Sequence, residues 1–306
     1  MTKIQGSAIR ITAAALILAY TAYLLLFGGE AKDSASRGLS LCVNVILTTV
    51  FPFSVASALL LSSGICESLG KSVGRPLAKL FGISYCGSGV VLLGLIGGYP
   101  SGAYAAYEYC RSGAIGRDEA DRLASYTDNA TPAFMTGYIG SLLGSVKAGA
   151  FLYAVNIASS FLWAIMLRTG TVKKAAVPIS KPAVSFTGSV TSSAVSAVYA
   201  CAFVIVFSVI SGAVSHMPGR YFPVILTSLL EVTTGASAIF SACFDPRLSA
   251  ACLSACTSFS GLCVASQAFS AAHSEKRGVI LYISGKLFQA FVSFFTVYLL
   301  YPIILY

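Results

Sequence analysis

Eight consecutive residues, Ser125-Tyr126-Thr127-Asp128-Asn129-Ala130-Thr131-Pro132, lie in the middle of an apolar segment long enough to cross a bilayer. They constrain the fold more than any other stretch. A lipid-facing helix cannot carry them, because Pro132 lacks an N–H and Asp128, Asn129 and Thr131 bring polar groups that hydrocarbon leaves unsatisfied. The backbone is expected to unwind here and to face protein or water. One reading is a broken transmembrane helix that holds a polar solute at mid-depth, using unwound peptide groups and half-helix dipoles. The other is a Pro-kinked helix whose Asp and Asn bond neighbouring helices. The segment by itself leaves both open.

Such breaks matter only in a membrane protein, and the composition supplies that context. Of the 306 residues 56% are hydrophobic and only 10% charged, with a mean hydropathy of +0.81, outside the usage of water-soluble domains. The expected fold class is an all-α polytopic membrane protein forming a single membrane domain. The net charge of +9 comes from basic residues scattered between apolar runs, which orient a chain in a bilayer rather than bind nucleic acid. The nine cysteines form no CxxC and no Cys/His cluster, and read as small buried hydrophobes.

In chain order, a first helix is expected over about Ile11–Phe27, then a loop with Glu30, Lys32, Asp33 and Arg37, then a helix over Leu39–Ser63. Lys71, Arg75 and Lys79 recur every fourth residue within 67–82, the spacing of an interfacial helix. Residues 84–110 are apolar at both ends around Gly97-Gly98-Tyr99-Pro100-Ser101-Gly102, which predicts a re-entrant hairpin reaching about the bilayer midplane. The broken helix spans about Leu123–Leu143 and a further helix Ala148–Leu167. The basic loop 168–187 precedes a plain helix over Val190–Val214. Phe222–Cys243, interrupted at Glu231-Val232-Thr233-Thr234-Gly235, predicts a second hairpin. Ala250–Ser270, interrupted at Thr257–Gly261, predicts a second broken helix, and a last helix carries Lys286 near its start.

The two halves repeat one plan: helix, polar-tipped hairpin, broken helix, plain helix. Residues 39–167 form a first repeat and 188–306 a second, with 1–38 peripheral. If the hairpins re-enter without crossing, the N-terminus, 67–82, 111–122, 168–187 and 272–278 fall inside and collect fourteen of the twenty Lys and Arg residues. The repeats are then inverted, as in many secondary transporters.

Four motifs together resemble the YlbJ-type sporulation integral membrane proteins, within the wider nucleoside-recognition Gate group: Gly98-Tyr99-Pro100-Ser101-Gly102-Ala103, Asn129-Ala130-Thr131-Pro132-Ala133-Phe134, Leu230-Glu231-Val232-Thr233-Thr234-Gly235, and Ser258-Phe259-Ser260-Gly261-Leu262 with Gln267. More distantly, the paired hairpins and breaks are similar to the core of the concentrative nucleoside transporters. That resemblance implies a role for Glu231 as second-hairpin acid and for Ser258 and Ser260 as the unwound polar run. Tyr99-Pro100-Ser101 has no counterpart of that family's first-hairpin motif.

The expected solute-contacting residues are Tyr99, Ser101, Asp128, Asn129, Thr131, Glu231, Thr233, Thr234, Ser258, Ser260 and Gln267. The expected partners are the lipid bilayer, a small polar solute and further copies of the chain; a cation or proton is expected for coupling, and no cofactor or metal. Glu108 is expected to snorkel or pair with Arg111, Lys286 to snorkel, and His216 and His273 to be surface residues. There is no GxSxG, HExxH or Walker sequence, so no enzyme is expected. Two functional readings remain: a transporter-like protein for a small polar solute, acting in spore formation, and a non-transporting scaffold for spore-envelope assembly.

Overall fold

The computed structural model describes residues 3–63, 68, 70–168, 185–242, 244–272 and 276–304, and every regular element among them is a helix. Four helices are long and apolar enough to cross a bilayer: Val146–Met166, Phe186–Ser215, Pro246–Phe269 (which contains the second break) and Lys276–Tyr301; counting two bent pairs as spans gives six. The chain is an all-α polytopic membrane protein.

Helix α1 (Lys3–Leu26) meets α2 (Gly28–Leu41) at a bend of 103° beside Gly28-Gly29. The expected loop over Glu30–Arg37 is therefore corrected: these residues are helical. Their polarity suggested a loop, but Ala31, Ser34 and Gly38 form a buried stripe one turn apart. A Cβ on Gly38 would lie 2.8 Å from Ser208 Oγ, and one on Gly212 would run into Ser34. Small residues thus bring α2 close against α10 (Phe186–Ser215). A π-helical segment, Cys42–Val50, leads to α3 (Phe51–Ser62). Pro52 lacks the N–H that an α-turn would need, and the wider turn before it absorbs that loss.

The expected interfacial helix over 67–82 is described at residues 68 and 70–82, where a turn at 72–74 precedes α4 (Arg75–Phe81), with Lys71, Arg75 and Lys79 exposed and Ala78 and Phe81 fully buried. The first hairpin is α5 (Tyr85–Gly97) and α6 (Ser101–Arg111); the second is α11 (Phe222–Leu230) and α12 (Val232–Ser241). At 1.5 Å per residue no arm exceeds about 20 Å, short of the roughly 30 Å hydrocarbon layer.

The first broken helix is α7 (Arg117–Thr127), an unwound stretch over 128–131, then the π-helical segment Phe134–Ile139 and the turn α8 (Gly140–Leu142). Its start is corrected from Leu123 to Arg117, because Gly116 ends the preceding turn and Asp118 and Glu119 suit a first helical turn. The second is α13 (Pro246–Phe259), capped by Asp245, and α14 (Gly261–Ala272), joined through Ser260 at φ 66°. The plain helices are α9 (Val146–Met166) and α15 (Lys276–Ile304).

Polar contacts mark two ends. At one, Ser84 N–H donates to Glu119 (2.7 Å), Arg122 donates to the Leu167 carbonyl (3.2 Å) and Arg277 pairs with Asp118 (3.3 Å). At the other, His216 pairs with Glu30 (2.5 Å), Arg220 donates to the Ala242 carbonyl (3.2 Å) and Tyr221 stacks on Phe244. Most of the basic loop 168–187, with Lys173, Lys174 and Lys181, and His273 lie outside the described residues.

Candidate functional site

Each hairpin tip rests on the break of its own half, and glycine permits both approaches. Gly98, at φ +69°, leaves no room for a Cβ beside Thr131. Gly261, at φ +81°, would place a Cβ 3.0 Å from the Leu230 carbonyl oxygen and 3.3 Å from Glu231 Cα. Only a residue without a side chain takes up both the left-handed backbone and the contact. Both arms of the first hairpin also press on the end of α7, since a Cβ on Gly94 or Gly102 would meet the Thr127 carbonyl.

The tips and breaks enclose a cavity of about 60 Å³. Tyr99 and Pro100 reach it from the first tip, Thr131 and Phe134 from the first broken helix, Glu231 and Thr233 from the second tip, and Gln267 from the second broken helix. Val45 and Ile46 of the π-helical segment and Ala200 and Val204 of α10 close the remaining side. An aromatic row, Tyr99 against Phe134 (centroids 6.4 Å) and Phe134 against Tyr138 (5.4 Å), runs along the wall, and the Tyr138 hydroxyl donates to the Thr233 carbonyl (3.1 Å). The first half thereby grips the second tip. The Tyr99 hydroxyl is buried without a hydrogen-bond partner.

Glu231 is 1% exposed. It is the N-cap of α12: its carboxylate accepts from Thr233 N–H (3.0 Å), Thr234 N–H (2.7 Å) and both threonine hydroxyls (2.5 and 2.7 Å). A carboxylate here satisfies two of the helix's free N–H groups and meets the positive end of its dipole. Thr131 caps similarly, accepting from Phe134 N–H at 3.0 Å.

Of the other expected site residues, Asp128, Asn129 and Ser258 belong to a packed polar seam and do not line the cavity. The Tyr282 hydroxyl donates to Asp128 Oδ2 (2.5 Å), and the Lys286 ammonium donates to the Asp128 carbonyl. Gln289 Nε2 donates to the Ser125 carbonyl (2.8 Å). Asn129 Nδ2 donates to the Tyr126 carbonyl (2.8 Å) and, more weakly, to Ser160 (3.4 Å). At the second break, Asn156 Nδ2 donates to Ser258 Oγ (2.9 Å), Ser258 to Ser293 (2.8 Å) and Ser293 to Ser159 (3.0 Å). Ser101 bonds the Gly97 carbonyl, Ser260 its neighbouring carbonyl, and Thr234 serves Glu231. The cavity thus gathers Tyr99, Thr131, Glu231, Thr233 and Gln267, while the remaining six expected residues hold the framework around it.

Lys286 is the main correction. Snorkelling was expected, yet it is 1% exposed and sits at the first break with Tyr282 and Gln289, while Ser293, further along the same helix, reaches Ser258 at the second. The signal was in the sequence: residues 282, 286, 289 and 293 are spaced four, three and four apart, one polar stripe on an apolar helix. Asn156, Ser159 and Ser160 on α9 were missed for the same reason. Glu108 does pair with Arg111 (2.8 Å) on an exposed face, and His216 is exposed.

No family model matches the chain, and no solved structure matches it. Among curated proteins it is similar to the sporulation integral membrane protein YlbJ of Bacillus subtilis (strain 168), at 29% identity over 126 residues. That match covers 41% of this chain and 31% of the relative, so it spans under a third of the relative's length. The likeness to concentrative nucleoside transporters rests on the motifs alone. The chain is a multi-pass integral membrane protein similar to the YlbJ-type sporulation integral membrane proteins.

Proposed function

We propose that the chain is transporter-like and binds a small polar solute, nucleoside-like or of comparable size, between its two hairpins and two broken helices during spore formation. The observation that carries the reading is the shared cavity, to which both tips and both broken helices contribute a polar or aromatic side chain. Spore formation enters through the similarity to a sporulation protein. At about 60 Å³ the cavity holds about two waters, whereas small-molecule pockets run to roughly 300–1,000 Å³. Solute entry therefore requires a hairpin tip to withdraw, and a tip seated through a glycine contact is suited to sliding. In this reading Glu231 couples occupancy to movement, exchanging its threonine donors for solute or cation.

The scaffold reading draws on a different observation. Glu231 already has four donors from its own turn, and Tyr99, Phe134 and Tyr138 pack the wall.

Thermal unfolding of the purified chain against nucleosides, small carboxylates and cations separates the two. A ligand at a hundredfold its dissociation constant adds about 2.7 kcal/mol, and Glu231→Gln should abolish the cation or pH dependence of that gain. Its own cost as an altered cap is about 1–2 kcal/mol. If no compound raises the midpoint, the scaffold reading stands. If the Gln variant binds with unchanged cation and pH dependence, the carboxylate is only a cap.

A further inference from the structure

We infer that Lys286 is a built-in cation for the first break: its ammonium, delivered from α15, fills the position that a free monovalent cation would otherwise take at the end of α7. Its contacts are those of a cation site. Nζ donates to the backbone carbonyl of Asp128, lies 3.5 Å from Gln289 Oε1, and stands 5.8 Å from the centroid of the Tyr282 ring. The Asp128 carboxylate is engaged by the Tyr282 hydroxyl, and the hydrogen-bond contacts of the lysine are to oxygen dipoles, the Asp128 carbonyl and Gln289 Oε1.

The surroundings have a surplus of acceptors. Asp128 Oδ1 and Asn129 Oδ1 are both buried without a hydrogen-bond partner, and their residues are at most 1% exposed. Carboxylate, amide and peptide oxygens are the donors that hard cations select, and the C-terminal end of a half-helix adds negative potential. Lys286 is the one fully buried Lys or Arg among the described residues. Without it, Asp128 would be a buried charge with no counter-charge.

The second break carries no acid among its own residues: Asn156, Ser258 and Ser293 join it by neutral hydrogen bonds, and Glu231, seated against it from the hairpin tip, has its carboxylate met by four donors from Thr233 and Thr234. A cation is needed at one break only, and the chain supplies it. Where the transport reading also holds, solute movement then needs no free cation at this break.

Unfolding of the full chain in detergent tests the inference without reference to any solute. Lys286→Ala should lower the midpoint by roughly 6–10 °C in N-methylglucamine chloride. Replacing that salt by sodium or methylammonium chloride at equal ionic strength should restore at least half of the loss. The native protein should move by less than about 1 °C in the same exchange. An equal response of the native protein to sodium overturns the inference, since the site would then take a free cation beside the lysine; so does a Lys286→Ala variant indifferent to all three salts. Where Lys286→Ala does not accumulate, Asp128→Asn/Lys286→Ala removes both charges together. On this inference the double variant accumulates and the single does not, and a double variant no better than the single overturns it.

Discussion

The unwound stretch 128–131 and the turn at Ser260 are each crossed by the plain helix of the opposite half, yet the first carries a charge among its own residues and its crossing helix, and the second does not. At the first, α15 brings Tyr282, Lys286 and Gln289 to Asp128 and Ser125. At the second, α9 brings Asn156 to Ser258. Each half thus hydrogen-bonds the other's broken helix, at the first break through backbone carbonyls and at the second through the Ser258 hydroxyl, which links the halves more firmly than apolar packing between helices in lipid would. The difference lies in what failure leaves behind. Losing a neutral partner leaves an unpaired hydroxyl or amide; losing a charged one leaves a buried ion.

The largest expected effect follows from that asymmetry. Asp128→Ala strands the Lys286 ammonium and should cost about 3–5 kcal/mol, read as a lowered unfolding midpoint. A loss no larger than that of a neutral variant would show that the two breaks are energetically alike. Next come the seats of the hairpin tips. Gly98→Ala and Gly261→Ala should each cost about 1–3 kcal/mol, since both positions have positive φ and face backbone or a packed threonine. Gly98→Ala should be the worse, because its Cβ would meet the Thr131 methyl more closely than Gly261's would meet Leu230. Equal effects would mean that backbone strain alone, and not the seat on the break, sets the cost. The smallest effect is expected for Ser258→Ala, about 1 kcal/mol from a neutral hydrogen bond. A loss above 3 kcal/mol there would erase the distinction between the breaks.

The two tips differ in the same way. Glu231 caps its own second arm, whereas the first tip turns through Gly98 and Tyr99-Pro100 and carries no acid. The cavity between them is therefore asymmetric, with its carboxylate on one side and its aromatic row on the other.

The chain's own pattern settled the helical membrane fold and the places where helices stop. Uninterrupted apolar runs leave the backbone no alternative to helix in lipid, and Pro132, Gly98-Tyr99-Pro100 and Ser260-Gly261 cannot continue one. It did not settle partners. Glu30–Arg37 read as a loop because polarity was visible and the Ala31, Ser34, Gly38 stripe acquires meaning only once Ser208 and Gly212 stand opposite it. Lys286 read as snorkelling because a lysine near a helix end reaches water unless something deeper accepts it. Only tertiary structure placed Asp128, 158 residues away in the chain, beside that lysine. The same holds for the division of the expected site into a cavity and a framework: hydrogen-bonding capacity is local to each side chain, but whether its partner is a solute or another helix depends on which helices cross the break.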